Sequence, residues 1–225
     1  MPAPYSAVIF DMDGVLVDTE PIHLRALTSA LEQGGFLLTE QDHEEMLGRT
    51  FQDTLAYLTQ RFHLEGQLER YARQYDETVL RFLREPLTPA PGVTDLLEAF
   101  TRRRVPLALA SSSKRRWIDA TLNALGAAGY FPCVVSGEDV SKGKPEPDIF
   151  LQAAERLGIE PHTALVIEDS PVGITAGRRA GMDVIAVRTP STVHLPLSEA
   201  TRVVMSLEEV DADQDRKSTR LNSSH

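Results

Sequence analysis

The sequence predicts an α/β protein: a Rossmann-like parallel sheet flanked by helices, interrupted by an inserted all-helical domain. Three observations predict it. An apolar run, YSAVIF at 5–10, opens the chain and leads directly into an acidic, glycine-containing turn. Residues 19–86 repeat apolar side chains at helical spacing and hold no convincing strand. Beyond residue 92, short β-branched runs alternate with amphipathic stretches, as βαβ units on a parallel sheet do.

Each element follows from its residues. The 5–10 run is apolar throughout, as a strand covered on both faces must be. In the insert, three sets recur at helical spacing: Leu24, Leu27 and Leu31; Phe51, Leu55 and Leu58; and Leu68, Tyr71, Tyr75, Val79 and Phe82. Gly34-Gly35, Gly48 and Gly66 divide it into about four helices. The stretch from Thr88 to Gly92, TPAPG, is a linker. Further strands are expected at 105–110, 133–136, 164–168, 183–187 and 202–205, and helices at 92–103, 114–126, 147–157 and 171–180. The organisation is then a core of 1–18 with 87–210 and a helical insert of 19–86. The tail, 211–225, is polar and unpatterned. Its end, DRKSTRLNSSH, reads either as a translated sequencing adapter or as a disordered natural terminus, so the fold reading leaves it aside.

Composition narrows the function classes. At 42% hydrophobic and 25% charged residues, a soluble globular protein is the expectation. A formal net charge of -10 disfavours nucleic acid and anionic membranes as partners. There is one cysteine, Cys133, no apolar run of membrane-spanning length and no signal-peptide pattern at the start, so a cytoplasmic protein is expected. Nineteen of the 23 cationic Lys and Arg side chains are arginine. The four lysines, Lys114, Lys142, Lys144 and Lys217, therefore mark places where a compact ammonium is suited.

In an open parallel sheet, ligands sit beyond the carboxyl ends of the strands. Asp11 and Asp13 follow the first strand. Ser111, Ser112 and Ser113 follow the second, Lys142 and Lys144 follow the third across a loop, and Glu168, Asp169 and Ser170 end the fourth. Asp11, Asp13 and Asp169 at one sheet edge would repel one another without a cation, and a hard divalent ion such as Mg2+ suits them. A single strand-end Asp could equally cap the next helix; the ensemble argues against that reading. A carboxylate can attack phosphorus, while a second carboxyl protonates the leaving oxygen and then deprotonates water. Ser111, with Ser112 and the neighbouring amides, suits phosphoryl oxygens at a helix start, although a serine run is also an ordinary N-cap. Lys144, beside Pro145, can neutralise both phosphate and nucleophile, whereas Lys142 reads as a solvated surface residue.

The segments DMDGVLVDTEP, ASSSK, KGKPEPDIF and VIEDSPVGI, in that order, resemble the four motifs of the haloacid dehalogenase superfamily. The resemblance covers roughly residues 5–190. Within the superfamily it is similar to the branch with a helical cap inserted after the first motif, which includes β-phosphoglucomutase and many sugar-phosphate phosphatases. It implies Asp11 as nucleophile, Asp13 as general acid/base, Ser111 as phosphoryl ligand and Lys144 as neutralising cation. It also implies a magnesium site at Asp11, the main-chain carbonyl of Asp13, Asp169 and, directly or through water, Glu168. Thr19 and His23 fall where related enzymes place a hinge and a proton-controlling cap residue. Lys114 falls where a side chain can reach substrate phosphate, and Arg49 is a candidate cap contact. Each of these four also has a structural reading, as a packed or surface residue. The implied protein is a monomeric phosphatase acting on a small phosphorylated metabolite, with residues 19–86 as a cap that closes over the site.

Competing activities separate on particular residues. Dehalogenation gains little from Asp13. Schiff-base phosphonate cleavage needs a cap lysine, and residues 19–86 contain none. A β-phosphoglucomutase-like phosphohexomutase is the nearer alternative. Such mutases hold a second phosphate with cationic cap residues, and Phe51 stands where their phosphate-binding arginine aligns, unless the alignment shifts onto Arg49. A non-catalytic binding module would be expected to lack one of the acids, and all are present.

Overall fold

The computed structural model describes residues 5–46, 51–64, 66–190 and 192–211. The tail from 212, Gly48 and Arg49, and the side chains of Phe51 and Leu68 lie outside the described residues. The chain divides into two compact units, Met1–Asp18 with Pro86–His225, and Thr19–Glu85.

The first unit is the expected α/β core. Its strands are β1 (Ala7–Phe10), β2 (Leu107–Ser111), β3 (Cys133–Ser136), β4 (Ala164–Glu168), β5 (Asp183–Val187) and β6 (Arg202–Val204). They form one six-stranded sheet in the order β3-β2-β1-β4-β5-β6, with every pairing parallel. Its helices are α5 (Val93–Arg102), α6 (Arg115–Ala124), α7 (Asp148–Leu157) and α8 (Pro171–Arg179); α1–α4 belong to the second unit.

β3, β4 and β5 keep their expected limits, while those of β1, β2 and β6 shift by one or two residues, the last two for local reasons. Pro106 has no N–H to give a ladder, so β2 starts at Leu107 and runs on to Ser111, which pairs with Ser136. The Met205 amide turns to the Glu209 carboxylate at 3.0 Å, which ends β6 at Val204.

Alternation along the strands builds two cores. Val8, Phe10, Leu107, Leu109, Leu165 and Ile167 pack on one face with Leu97 and Phe100 of α5 and Ile118 of α6. Phe10 meets Phe100 and Phe131 edge-on, with ring centroids 6.4 and 5.9 Å apart. Ile9, Ala108, Ala110, Val166 and Val184 face the other way, onto Ile149 and Phe150 of α7 and Ile174 of α8. Strand order reverses at β1, which pairs with both β2 and β4. The crevice at such a reversal is where the ends of three strands meet.

The second unit is helical: α1 (Glu20–Gln33), α2 (Glu40–Met46), α3 (Phe51–Phe62) and α4 (Leu68–Phe82). Tyr71, Tyr75 and Val79 of α4 are buried, as their spacing predicts. In α1 the expected stripe needs correction. Leu24 is 38% exposed, and the buried set is Ile22, Ala26, Leu27, Ala30 and Leu31. Ile22, Ala26 and Ala30 are four apart and share a face, and Leu24 lies half a turn away from it.

Asp42 holds α2 and α3 together. Thr39 and Asp42 cap each other at the start of α2: the Thr39 amide and hydroxyl donate to Asp42 Oδ2 at 2.8 and 2.7 Å, and the Asp42 amide donates to Thr39 Oγ1 at 3.2 Å. From α3, the Tyr57 hydroxyl and Arg61 Nε donate to Asp42 Oδ1 at 2.7 and 3.1 Å. The Tyr57 hydrogen bond first, then the Thr39 amide, keep this carboxyl well below the usual carboxylate range despite its burial. No helix among the described residues is long and apolar enough to cross a membrane.

Asp42→Ala is expected to lower stability by about 2–3 kcal/mol near neutral pH, the scale of hydrogen bonds to a charged group. Because the folded pKa is depressed, this contribution is complete above the unfolded value of about 3.9 and is lost as pH falls below it. Urea unfolding of wild type and variant across that range should show the gap closing on the acid side; a gap independent of pH would contradict the assignment.

Candidate active site

The site grows out of the end of β1. The Asp11 amide donates to the Ile167 carbonyl at 2.9 Å, which carries the β1–β4 ladder one residue past the strand. The chain then turns, with Val15 and Leu16 amides on the Met12 carbonyl and the Gly14 amide on the Val17 carbonyl at 2.8 Å. Gly14 has φ +80°, and a side chain there would collide with the Asp169 carboxylate, so glycine is required twice over.

Lys144 occupies the centre. Its side chain is 5% exposed, and its ammonium donates to Asp11 Oδ1 at 2.5 Å, Glu168 Oε1 at 2.7 Å and the Ala110 carbonyl at 3.2 Å. Three N–H groups thus meet three acceptors supplied by β1, β4 and β2. The Phe150 ring lies 5.0 Å from the same nitrogen, and the Lys144–Pro145 peptide is cis. Glu168 is held from its other oxygen as well: Oε2 accepts from the Asp169 amide at 2.8 Å, the Ser170 amide at 2.9 Å and the Ser170 hydroxyl at 3.0 Å. Ser170 in turn caps α8 by accepting from the Gly173 amide at 3.1 Å. Gly173 leaves the Glu168 carboxylate room, because a side chain there would overlap it.

Asp11, Glu168 and Asp169 are all buried, and one oxygen of each lies within 4.8 Å of the others. Burial foremost, opposed by Lys144 and reinforced by Glu168 and Asp13, pushes Asp11 up to about 8. Burial, then Glu168 and Asp11, pushes Asp169 up to about 9. Burial alone would depress Lys144, but Asp11 and Glu168 outweigh it and keep the ammonium charged. Three clustered carboxylates therefore face one organic cation. An all-oxygen set whose carboxyl groups need added positive charge to ionise together fits a hard divalent ion, magnesium among them.

The Asp13 side chain lies apart from this triad, with the serines. Ser111 Oγ donates to Asp13 Oδ2 at 3.3 Å, and Ser113 Oγ donates to the same oxygen at 2.9 Å. The Ser113 amide donates to Ser111 Oγ at 3.1 Å. The sequence reading singled out Ser111 and Ser112; the structure brings Ser111 and Ser113 to the acid and leaves Ser112 exposed. Alternation past the strand end was the available signal, since residues two apart share a side.

The other candidates are placed as follows. Lys114 is the residue before α6 and lays its ammonium 5.0 Å from the Trp117 ring centroid. Lys142 is exposed. In the helical unit, Thr19 is buried before α1, and His23 Nδ1 lies 2.8 Å from the Tyr75 hydroxyl of α4. No sequence pattern near His23 points to that Tyr75 contact. Arg49 lies outside the described residues.

A family model described as haloacid dehalogenase-like hydrolase matches residues 8–187. The chain belongs to this family. Among curated haloacid dehalogenase-like relatives, a phosphorylated carbohydrates phosphatase of Thermotoga maritima is 37% identical over 177 residues, covering 79% of this chain and 82% of its own. The fructose-1-phosphate phosphatase YqaB of Escherichia coli is 35% identical, covering 82% of this chain and 97% of its own. Among solved structures, a β-phosphoglucomutase from Clostridium difficile superposes with TM-score 0.73 at 25% identity, covering 92% of this chain and 93% of its own.

In this haloacid dehalogenase-like hydrolase, Gly173→Ala must displace the Glu168 carboxylate from its bonds. A loss of about 1–3 kcal/mol in unfolding free energy is expected, as for overpacking in a closed site. Gly129→Ala, where an added methyl meets nothing within 4 Å, should stay within about 0.5 kcal/mol of wild type. Equal stability of the two variants would contradict this packing.

Proposed function

We propose that this hydrolase is a magnesium-dependent phosphatase that cleaves a small phosphorylated metabolite, a sugar phosphate foremost, through a phosphoryl group carried on Asp11. The observation that carries the reading is the convergence of Asp11, Lys144, Glu168 and Asp169 from separate strand ends, with Asp13 and two serine hydroxyls beside them. The named relatives support the substrate class.

Asp11 attacks phosphorus in line with the ester oxygen. The P–O bond to the substrate breaks, and Asp13 gives its proton to the departing oxygen, releasing the alcohol. Water then attacks the phosphoryl group, Asp13 takes a proton from it, and the bond to Asp11 breaks to give inorganic phosphate. Lys144 fixes the Asp11 carboxylate and offsets phosphoryl charge, and Ser111 donates to a phosphoryl oxygen. Magnesium, held by Asp11, Glu168, Asp169 and the Asp13 carbonyl, would supply further positive charge at those oxygens. Ser112, Lys114, Thr19, His23 and Arg49 are the candidates for contact with the rest of the substrate. The reading also places the protein in the cytoplasm as a monomer, with its net charge of -10 set against nucleic acid and membrane partners.

The β-phosphoglucomutase-like alternative keeps the same first step but returns the phosphoryl group to a second hydroxyl. Two features favour hydrolysis: a lysine-free insert, and curated relatives that are named as phosphatases. The test is phosphate release from a panel of phosphorylated metabolites with magnesium, repeated with a chelator. β-Glucose 1-phosphate with catalytic glucose 1,6-bisphosphate serves as the mutase arm. Phosphate release that the chelator abolishes is expected; efficient formation of glucose 6-phosphate would overturn the preference.

Two substitutions test the roles. Asp11→Asn is expected to remove turnover; survival of activity would defeat the covalent mechanism, and a wild type without turnover would leave only a binding module. Asp13→Asn is expected to cost on the order of 10²–10⁴ in rate on an alkyl phosphate, the range of general acid–base catalysis. An unaltered rate would refute its role.

A further inference from the structure

We infer that Ser113 is the positioning residue for the general acid, and that Ser111 and Ser113 divide the work of the serine run between phosphate and Asp13. The inference rests on the proposed phosphatase reading and extends it to a residue that reading leaves unused.

The argument is one of counting protons. A serine hydroxyl has one hydrogen to donate. Ser111 Oγ accepts the Ser113 amide at 3.1 Å and directs its only proton to Asp13 Oδ2 at 3.3 Å. When Ser111 serves a phosphoryl oxygen, that proton leaves Asp13. The exchange is easy because the bond is long and the amide stays in place to hold the oxygen. Ser113 Oγ, at 2.9 Å, is the shorter of the two contacts and keeps its hold on Oδ2. With Oδ2 engaged as acceptor, Ser113 orients the carboxyl group from which Asp13 transfers its proton.

Ser113 is itself anchored. Its carbonyl accepts the Gly137 amide at 3.2 Å, which ties the serine loop to the end of β3. Gly137 allows that approach because a side chain there would collide with the Ser112 carbonyl. Ser113 hence reaches Asp13 from a braced loop, in contact with the acid rather than with the Asp11–Lys144 pair.

A positioning role for the acid has a signature that phosphate binding lacks: its cost depends on how much the departing oxygen needs a proton. The experiment compares kcat/KM of wild type, Ser113→Ala and Ser113→Thr, each with magnesium, on p-nitrophenyl phosphate and phenyl phosphate. These two have nearly the same shape and differ in leaving-group basicity. Because kcat/KM covers events up to departure of the first product, the later hydrolysis of the phosphoryl enzyme does not enter.

Ser113→Ala is expected to lose roughly tenfold more on phenyl phosphate than on p-nitrophenyl phosphate, a part of the about 10²–10⁴ that acid–base catalysis contributes. Ser113→Thr, which keeps the hydroxyl, should restore the wild-type ratio. In the Asp13→Asn background, Ser113→Ala should add little, since the two act through one proton. An equal loss on both esters, no loss on either, full additivity with Asp13→Asn, or a threonine variant no better than alanine would each overturn the inference. Asp11→Asn run alongside separates the two levels. If it still turns over, the covalent reading fails; if it is inactive while Ser113→Ala loses equally on both esters, only the role of Ser113 fails.

Discussion

The Lys144 ammonium is the contact on which the rest of the site depends. Two buried carboxylates, Asp11 and Glu168, share it, and a third, Asp169, lies within ligand distance of both. Buried carboxylates brought this close are costly unless positive charge compensates them. One lysine supplies part of it and fixes geometry, since each of its three N–H groups has a specified acceptor. The raised pKa values of Asp11 and Asp169 show that one lysine does not compensate all three carboxyls, and a divalent cation would supply the rest.

The sheet makes this concentration possible. Reversal of strand order at β1 places the ends of β2, β1 and β4 side by side, so Ser111, Asp11 and Glu168 arrive from different parts of the chain. Small residues then set the fine geometry. Gly14 and Gly173 yield space to the Asp169 and Glu168 carboxylates, and Gly137 lets the serine loop close on β3. The glycines matter here for what they leave room for, while the charged groups carry the chemistry.

Much of this was legible in the sequence. Strands covered on both faces leave uninterrupted apolar runs, and five of the six ended next to a polar punctuation that marked the limit within two residues. The acids, Ser111 and Lys144 stood out because each followed such a run. Tertiary detail was not legible. Leu24 fits a helical repeat as well as Leu27 does, and only the α1–α4 packing shows that Ala26 and Ala30 take its place. In the serine run, only the alternation continued past β2 distinguishes Ser111 and Ser113 from Ser112, because the three side chains are chemically identical. Tyr57 and Arg61 reach Asp42, and Tyr75 reaches His23, from other helices, and no local pattern announces those contacts.

The most direct test of the central claim is to look for the phosphoryl group on the protein. Asp13→Asn, incubated with magnesium and acetyl phosphate, whose leaving group needs no acid, should accumulate one phosphoryl group in its intact mass. Peptide fragmentation should place it on Asp11. A protein that releases phosphate without ever gaining that mass, or that carries it on another residue, would contradict the account.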